Sequence, residues 1–281
     1  MYLSALAGHG PLPPRAPGDV TYRSARGAAI PRDGEATSVT TKSNLRARLV
    51  AGDELVAVRG DISWSRDQLA GIWGNGQYDL IWLDAQHSAY SDHQLVSFTG
   101  AAEELGIPVQ LRIPHTRDAH KVGRFFDLGA TGALVPEVME STTVQDALDF
   151  AYYGPLGRRS WGGANRLGLR TRTAPTARRE YAAWWNETVL LSIQIESVQT
   201  VTNIARLVRP GITHVTWGPN DLEFSLDLHP AFPLRTVEAC MANVAAQLKG
   251  SGIRIAMGTA TTPAERQKYR DLGVTIFQTA P

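Results

Sequence analysis

The feature that most constrains this chain is a regular alternation of short apolar runs with longer amphipathic stretches, which begins near Asn44. Most of the short runs are continuously apolar rather than alternating, which is typical of parallel strands that are covered on both faces. Repeated strand–helix alternation predicts a parallel α/β fold. We predict eight strands, at Leu55–Arg59, Leu80–Asp84, Val109–Ile113, Gly132–Val135, Val189–Ile195, His214–Trp217, Ile253–Met257 and Thr275–Phe277.

The stretches between the strands carry signals for the start and the end of helices. Ser91 and Gln94 have the spacing of a capping box, and Gly129, Gly250 and Gly273 stand where helices would end. Eight such units with no Gly-x-Gly-x-x-Gly after the first strand favour a closed (β/α)8 TIM barrel over a dinucleotide-binding sheet. The predicted helices are Ser91–Leu105, Arg117–Leu128, Ser141–Ala151, Val198–Val208, Leu234–Leu248 and Thr262–Leu272.

Length and composition agree with one barrel domain over residues 44–281. Of the 281 residues, 43% are hydrophobic and 20% are charged, and a barrel of about 250 residues is normally one domain. The net charge of +1 predicts no bulk attraction to nucleic acid or to an anionic membrane, and no apolar run is long enough to span a bilayer. The single cysteine, Cys240, excludes an internal disulfide, and without a recognisable signal peptide we predict a cytoplasmic protein.

Residues 1–43 differ in composition from the rest of the chain. They are rich in Pro, Gly, Arg and small polar residues and show neither a helical nor a strand period. Such a segment buries too little apolar surface to offset its ordering entropy, so we predict a poorly ordered N-terminal extension. A transit peptide is the alternative interpretation of an Arg-containing, acid-poor leader.

Catalytic side chains of a TIM barrel lie at the carboxyl ends of its strands, so these ends indicate the chemistry. Two carboxylates, an imidazole with a nearby carboxylate, and an arginine would converge on one mouth. The residues at these ends are Asp84, Gln86 and His87 after strand 2, Arg112 on strand 3, Glu137 after strand 4, Gln194 and Glu196 on strand 5, and Gly218, Pro219 and Asp221 after strand 6.

Glu196 and Asp221 suit a hard divalent cation such as Mg²⁺ or Mn²⁺. These ions take oxygen ligands and often only one or two protein carboxylates, which leaves positions for substrate and water. The alternative is that Asp221 caps the following turn and Glu196 caps a helix.

His87 is the candidate general base, because imidazole titrates near working pH, and Asp84 three residues earlier would fix its tautomer. A histidine that merely hydrogen-bonds at the strand end is the alternative. Arg112 offers a planar fork to a carboxylate or an enolate oxygen, unless it forms only a structural ion pair across the barrel top. On the long connection after strand 4, Arg159 is a candidate to reach over the mouth, although Arg158 serves equally and a solvated turn is the alternative.

With these residues the sequence resembles the HpcH/HpaI family, the class II pyruvate-dependent aldolases related to 4-hydroxy-2-oxoheptane-1,7-dioate aldolase. The resemblance extends from about Asn44 to Phe277. It depends on the Asp-x-x-His of strand 2, the Gly-x-Arg loop, the Gln-x-Glu of strand 5 and the Gly-Pro-x-Asp-Leu after strand 6.

The resemblance implies a metal-dependent carbon–carbon lyase that cleaves or forms 4-hydroxy-2-oxoacids through a pyruvate enolate, with pyruvate and an aldehyde as partners. It implies Mg²⁺ or Mn²⁺, with Co²⁺ as a further option, on Glu196 and Asp221. It implies His87 as base with Asp84 behind it, and Arg112 beside the enolate. Substrate-binding positions would be Arg112, Gln194, Gly218, Pro219 and Arg159.

Three departures from the family pattern stand out. Gln86 takes the place of a usual Glu, and an amide usual around Met139 is absent while Glu137 lies nearby. Relatives continue into another helix past strand 8, whereas this chain ends at Pro281. A short outer layer would expose apolar surface, so we predict a homo-oligomer.

Two other functions are compatible with the sequence. One is a related metal-dependent lyase that acts on another 2-oxoacid or on an acyl-CoA thioester, although no basic nucleotide-binding surface is evident. The other is an inactive barrel that binds a metabolite or a partner, which the departure at Gln86 suggests.

Overall fold

The computed structural model describes residues 44–258 and 262–281. The predicted extension over residues 1–43 lies outside the described residues. Eight strands hydrogen-bond in chain order, β1 pairs with β8, and every pairing is parallel, so the sheet closes into a barrel. The predicted (β/α)8 fold is therefore confirmed.

The strands agree closely with the predicted ones, because their apolar runs are buried on both faces and leave little freedom of register. Within the given sequence, β8 is followed by Ala280 and Pro281. The strands are β1 Leu55–Arg59, β2 Leu80–Asp84, β3 Val109–Arg112, β4 Gly132–Val135, β5 Leu190–Ile195, β6 His214–Trp217, β7 Arg254–Met257 and β8 Val274–Thr279.

Helices cover the outside of the barrel, and all six predicted helices are present. The helix predicted over Arg117–Leu128 is divided into a 3₁₀ turn, Thr116–Lys121, and a short α-helix. Four further helices were not predicted. The α-helices are α1 Leu45–Ala51, α2 Arg66–Asn75, α3 Asp92–Glu104, α4 Val122–Asp127, α5 Ser141–Ala151, α6 Arg178–Thr188, α7 Val198–Leu207, α8 Pro219–Leu228, α9 Val237–Leu248 and α10 Pro263–Asp271. Among the described ranges, none of these helices combines the length and apolarity that a membrane crossing requires.

The amino end of the barrel is covered by α1. Leu49 of this helix is fully buried and packs with Leu55 of β1 and Ile276 of β8. The guanidinium of Arg254 donates to the carbonyls of Leu49 and Val50, which holds the end of α1 against the sheet. This end is therefore closed, and the carboxyl ends of the strands form the open mouth.

Strand register decides which side chains face that mouth. Successive residues of a strand point to opposite faces, so Trp82 and Asp84 of β2 share the inner face. Asp84 is in register with Arg112 of β3, and Trp82 with Arg59 of β1. The inner face of the barrel therefore ends in a ring of charged and polar side chains.

Candidate active site

Arg112 and Asp84 form a two-point ion pair in the mouth. Nε of Arg112 lies 2.8 Å from Oδ1 of Asp84, and Nη2 lies 2.5 Å from Oδ2. The side chains are only 11% and 4% exposed, so water screens the pair weakly. Burial alone raises the pKa of Asp84, but the hydrogen bond and the charge of Arg112, with the backbone N–H groups of His87 and Gln86, leave this pKa below its usual value. Asp84 is therefore a carboxylate that fixes the guanidinium in one orientation.

The remaining face of Arg112 points across the barrel. Its Nη1 lies 3.5 Å from Oε1 of Gln194 on β5, and its guanidinium carbon lies 5.3 Å from the centroid of the Trp82 ring. Gln194 is itself buried. The structure thus shows both the structural ion pair that we considered as the alternative and a guanidinium edge directed toward β5.

His87 lies next to this pair but takes a different position from the expected one. Its backbone N–H donates to Oδ1 of Asp84 at 3.3 Å, while its side chain is exposed. Within the described ranges no hydrogen bond joins the imidazole to Asp84, because the carboxylate is already occupied by Arg112 and two backbone N–H groups. The expectation that Asp84 fixes the tautomer of His87 is corrected: the partner of Asp84 is Arg112.

Glu196 follows β5 and is 93% buried, since its relative exposure is 7%. One carboxylate oxygen accepts the backbone N–H of Glu137. Burial raises the pKa of Glu196 to about 7, the Glu137 N–H and the charge of Arg112 oppose this rise, and the negative charges of Asp221 and Glu137 add to it. A carboxylate this strongly perturbed at the carboxyl end of a barrel strand is typical of a functional site.

The backbone of Glu137 makes this hydrogen bond through an unusual conformation. Its φ is 53°, in the left-handed region that non-glycine residues seldom adopt. This conformation directs the amide toward Glu196. Backbone strain of this kind persists where the surroundings require it, and functional sites are common locations.

Asp221 approaches Glu196 from the first turn of α8. Pro219 occupies the first turn of this helix, and the Asp221 side chain is exposed at the mouth. In the described part of the chain the Asp221 carboxylate makes no capping hydrogen bond, and Ser197 rather than Glu196 caps α7. Neither of the capping alternatives for these two carboxylates is observed.

Gly218 allows α8 to begin close to Glu196. A Cβ at this position would lie 2.6 Å from Nε2 of Gln194 and 2.8 Å from Oε2 of Glu196, closer than real Cβ contacts come. The missing side chain leaves a small cradle beside the carboxylate. Within residues 44–258 and 262–281 no group of three or more His, Cys, Asp or Glu side chains forms a metal cluster. The oxygen ligands available at this position are the carboxylates of Glu196 and Asp221 and the side-chain amide of Gln194. That donor set fits a hard divalent cation, which often keeps only one or two protein carboxylates.

Gln86, which departs from the family pattern, is in contact with Glu137, which lies near the second departure at Met139. Nε2 of Gln86 donates to Oε1 of Glu137 at 3.2 Å, and Oε2 of Glu137 lies 3.4 Å from Nε2 of His115. A Glu at position 86 would place two carboxylates against each other, whereas the amide of Gln86 donates to the one present. The negative charge next to Gln86 is therefore located on Glu137.

Comparison with known proteins adds to this geometry. A sequence profile described as HpcH/HpaI aldolase/citrate lyase matches residues 62–280, well over half of the chain. The chain belongs to the HpcH/HpaI aldolase/citrate lyase family.

Individual members of the family agree with this assignment. The chain is 26% identical over 215 residues to the hydroxypyruvate/pyruvate aldolase of Sagittula stellata, with 75% of this chain and 81% of the relative covered. It is 28% identical over 217 residues to the 2-keto-3-deoxy-L-rhamnonate aldolase of Salmonella schwarzengrund, with 74% and 76% covered. The crystal structure of an HpcH/HpaI aldolase from Desulfitobacterium hafniense matches with a TM-score of 0.72 and 25% identity, over 84% of this chain and 90% of that one. These relatives differ in named substrate, so the likeness supports an aldolase without selecting a substrate.

Arg159 does not join the site that the family resemblance suggested for it. Its side chain is 1% exposed, Nη2 lies 2.7 Å from Oδ1 of Asp127 at the end of α4, and the guanidinium carbon lies 4.2 Å from the Trp185 ring centroid. Arg158 instead pairs with Asp149 of α5. The long connection after β4 therefore packs its arginines against outer helices, which corrects the expectation that Arg159 reaches over the mouth.

A cavity of about 520 Å³ lies at the carboxyl ends of β1 and β2. The strand-end pattern that we followed from strand 2 also applies to strand 1, whose last residue, Arg59, lines this cavity beside Asp84. The sequence VAVRG carried this signal, since it places a charged side chain at the end of an apolar strand. Further lining residues are Asp61, Trp64, Tyr90 and Pro281.

Proposed function

We propose that this member of the family is a divalent-metal-dependent aldolase that cleaves or forms 4-hydroxy-2-oxoacids through a pyruvate enolate. The observation that carries the proposal is the pairing of two unlike sites in one mouth. Glu196 and Asp221 bring two carboxyl groups together, and Arg112 is a cation held in one orientation by Asp84. Enolate chemistry requires both, since the developing oxyanion must be stabilised while the oxoacid is held in place.

Glu196 and Asp221 would hold the metal ion, for which Mg²⁺ and Mn²⁺ are the expected choices and Co²⁺ a further one. When bound, such an ion supplies Lewis-acid stabilisation of negative charge on oxygen. Gln194 and the space beside Gly218 and Pro219 would accept the carboxylate end of the oxoacid, because the missing Cβ of Gly218 leaves the backbone open there.

The protein's own groups then perform the proton transfers and bind the oxyanion. In the cleavage direction, His87 accepts the proton of the 4-hydroxyl, the C3–C4 bond breaks, and its electron pair passes to the C2 oxygen as an aldehyde leaves. Arg112 donates to that enolate oxygen from an orientation fixed by Asp84. Return of a proton to C3 completes pyruvate. The exposure of the His87 side chain allows it to reach the substrate and to exchange protons with water.

The proposal is tested by measuring pyruvate release from a panel of 4-hydroxy-2-oxoacids with Mg²⁺, Mn²⁺ or Co²⁺ added, and after exhaustive chelation. We expect turnover that chelation abolishes and that metal restores. Full activity after exhaustive chelation would refute metal dependence. Absence of pyruvate release from every substrate would refute the proposed cleavage of 4-hydroxy-2-oxoacids.

The predicted homo-oligomer has structural support on α8. Phe224 and Leu228 lie one turn apart on this helix and are 70% and 78% exposed, which is unusual for large apolar side chains on one face. We expect sedimentation to show a closed homo-oligomer that Phe224→Glu weakens. A stable wild-type monomer at micromolar concentration would contradict this. Apart from a second copy of this chain, the expected partners are the small-molecule 2-oxoacid and aldehyde. The cytoplasm remains the predicted compartment.

A further inference from the structure

Glu137, on the loop after β4, contacts the mouth through its backbone and through its side chain, and the reaction proposed above uses neither. Its backbone N–H donates to Oε1 of Glu196, while Oε2 of Glu196 faces the space beside Gly218. The two oxygens of the Glu196 carboxylate are therefore in different environments. One oxygen is held by the loop, and the other is directed toward the cradle where we expect the metal ion.

The side chain of Glu137 is held at both of its oxygens. Nε2 of Gln86 donates to Oε1 at 3.2 Å, and Nε2 of His115 lies 3.4 Å from Oε2. Because Nδ1 of His115 accepts the backbone N–H of Arg117, the neutral ring carries its proton on Nε2, and this N–H faces Glu137. The Glu137 carboxylate thus lies between two donors that come from different loops.

The backbone at Glu137 needs such support. Its φ of 53° lies in the left-handed region, which is unfavourable for any residue with a Cβ, so other contacts must offset the cost. The next residue, Val138, is fully buried, and its carbonyl accepts the hydroxyl of Thr200 on α7. Contacts on both sides of the Glu137 amide therefore keep its N–H directed at Glu196.

We propose that Glu137 is a positioning residue for the metal site, and that its N–H keeps Oε2 of Glu196 turned toward the cation. Gln86 and His115 hold the Glu137 side chain, and through it the left-handed backbone. The inference rests on the proposed metal-binding role of Glu196 and assigns the residues that set its orientation. It also gives Gln86 a physical role, since an amide donates to Glu137 whereas a carboxylate at position 86 would repel it.

The test compares Glu137→Ala with Glu137→Gly by measuring Mn²⁺ binding to the metal-free protein with electron paramagnetic resonance. Both variants lose the same carboxylate and the same charge, but only glycine adopts a positive φ without strain. Glu137→Ala should bind Mn²⁺ roughly tenfold or more weakly than the wild type, because the hydrogen bond that orients a charged ligand is weakened. Glu137→Gly should bind roughly 3- to 10-fold more tightly than Glu137→Ala.

Two results at position 137 would overturn the proposal. Wild-type Mn²⁺ affinity in Glu137→Ala would show that the residue does not position the metal ligand. Equal affinities of Glu137→Ala and Glu137→Gly would show that the left-handed backbone has no part in it. Circular dichroism and urea unfolding show whether each variant is folded where its affinity is measured.

Glu140 provides the matched control, because it is an exposed glutamate of the same loop with an extended backbone, φ −121°. Glu140→Ala and Glu140→Gly should both bind Mn²⁺ as the wild type does. A gain from glycine over alanine at position 140 as large as that at position 137 would attribute the effect to loop flexibility, and it would overturn the proposal.

The role of the side-chain anchor is tested with His115→Ala and Gln86→Ala. Each should weaken Mn²⁺ binding by roughly 2- to 10-fold, the scale of one hydrogen bond. In the Glu137→Gly background His115→Ala should have no further effect, since its partner is already absent. An equal effect in both backgrounds would overturn the anchoring role. His93→Ala, which removes an exposed histidine from α3, is the control and should leave the affinity unchanged.

Mn²⁺ binding needs no turnover, so this inference and the proposed reaction can fail separately. The expected order of affinities without pyruvate release from any substrate would overturn the reaction and leave the positioning role intact. Pyruvate release with wild-type Mn²⁺ affinity in Glu137→Ala would do the reverse. Absence of Mn²⁺ binding by the wild type would overturn both.

Discussion

The barrel interior contains two polar layers that differ in how their buried groups are satisfied. In the lower layer, the amide of Gln110 donates to Oγ of Ser192 at 3.0 Å and lies 3.1 Å from Nε2 of His214. Because an amide nitrogen only donates, Nε2 accepts and Nδ1–H of His214 donates to Oγ1 of Thr213 at 2.9 Å. Burial lowers the pKa of His214 to about 3, so the layer is neutral and its members satisfy one another.

The mouth contains buried polar groups that are not satisfied in this way. Glu196 is buried, with a relative exposure of 7%, yet among the described residues its one hydrogen-bond donor is the backbone N–H of Glu137, and burial raises its pKa to about 7. Polar groups that serve stability pair among themselves, whereas groups kept for a ligand retain unused capacity. The contrast supports the proposal that a cation and a substrate bind in the mouth and not in the layer beneath it.

Removing either carboxylate of the mouth gives the largest expected effect. Glu196→Gln and Asp221→Asn should each lower turnover by about 10³-fold or more, since several kcal/mol of charge stabilisation would be lost. Circular dichroism should show an unchanged fold, because both groups follow the ends of strands and neither belongs to the hydrophobic core. Glu223→Gln is the matched control, an exposed acid two residues along α8 from Asp221, and should retain activity. Substantial activity in Glu196→Gln would contradict the claim that the incompletely hydrogen-bonded carboxylate of the mouth serves the reaction.

A substitution in the lower layer should lower the stability of the protein and leave its turnover unchanged. His214→Leu leaves donors of Gln110 and the hydroxyl of Thr213 without their partner, so we expect a loss of about 2–4 kcal/mol in the free energy of unfolding with kcat unchanged. Because the folded pKa of about 3 lies below the ordinary 6.5, wild-type His214 contributes stability above about pH 6.5 that is lost as pH falls toward 3. Urea titrations at pH 7 and pH 4 measure both effects. A variant with wild-type stability but impaired turnover would reverse the assignment of the two layers.

A smaller effect concerns the stability of the mouth itself. The folded pKa of Glu196, about 7, exceeds the ordinary 4.5, so the contribution of this group to stability is present below about pH 4.5 and lost as pH rises through 7. With chelator present, Glu196→Gln should therefore be more stable than wild type by up to roughly 3 kcal/mol at pH 8, and similar to it at pH 4.5. Urea unfolding at the two pH values tests this. Equal stability at pH 8 would mean that the carboxylate is not buried at a cost.

The barrel was predictable from the sequence because its strands are buried on both faces. Leu80–Asp84 and His214–Trp217 have the predicted bounds, since continuous apolar runs permit little ambiguity. Helix Arg66–Asn75 was missed although Ser65 and Gln68 form a capping box, because Gly71 and Gly74 weaken its helical pattern.

The sequence predicted which side chains lie near one another at the mouth better than it predicted their contacts. Strand ends correctly indicated that Asp84 and Arg112 share the mouth, but the pairing of their side chains depends on register and on competition for the carboxylate. The position of Arg159 depends on aromatic rings from other parts of the chain, such as Trp185, and no local pattern reports such long-range stacking. The left-handed conformation of Glu137 likewise has no sequence signal of the kind that a glycine provides.

The central claim, that this mouth forms a pyruvate enolate, is tested most directly by exchange of the pyruvate methyl protons in D₂O, followed by NMR with Mg²⁺ or Mn²⁺ added. We predict exchange by the wild type. His87→Ala should slow this exchange by ~10²–10⁴-fold, because it removes the general base. Arg112→Lys should slow it severely as well, because a point charge cannot reproduce the planar fork of the guanidinium. Equal exchange by wild type and His87→Ala would show that His87 is not the base. Absence of exchange by the wild type with every metal would contradict the enolate account itself.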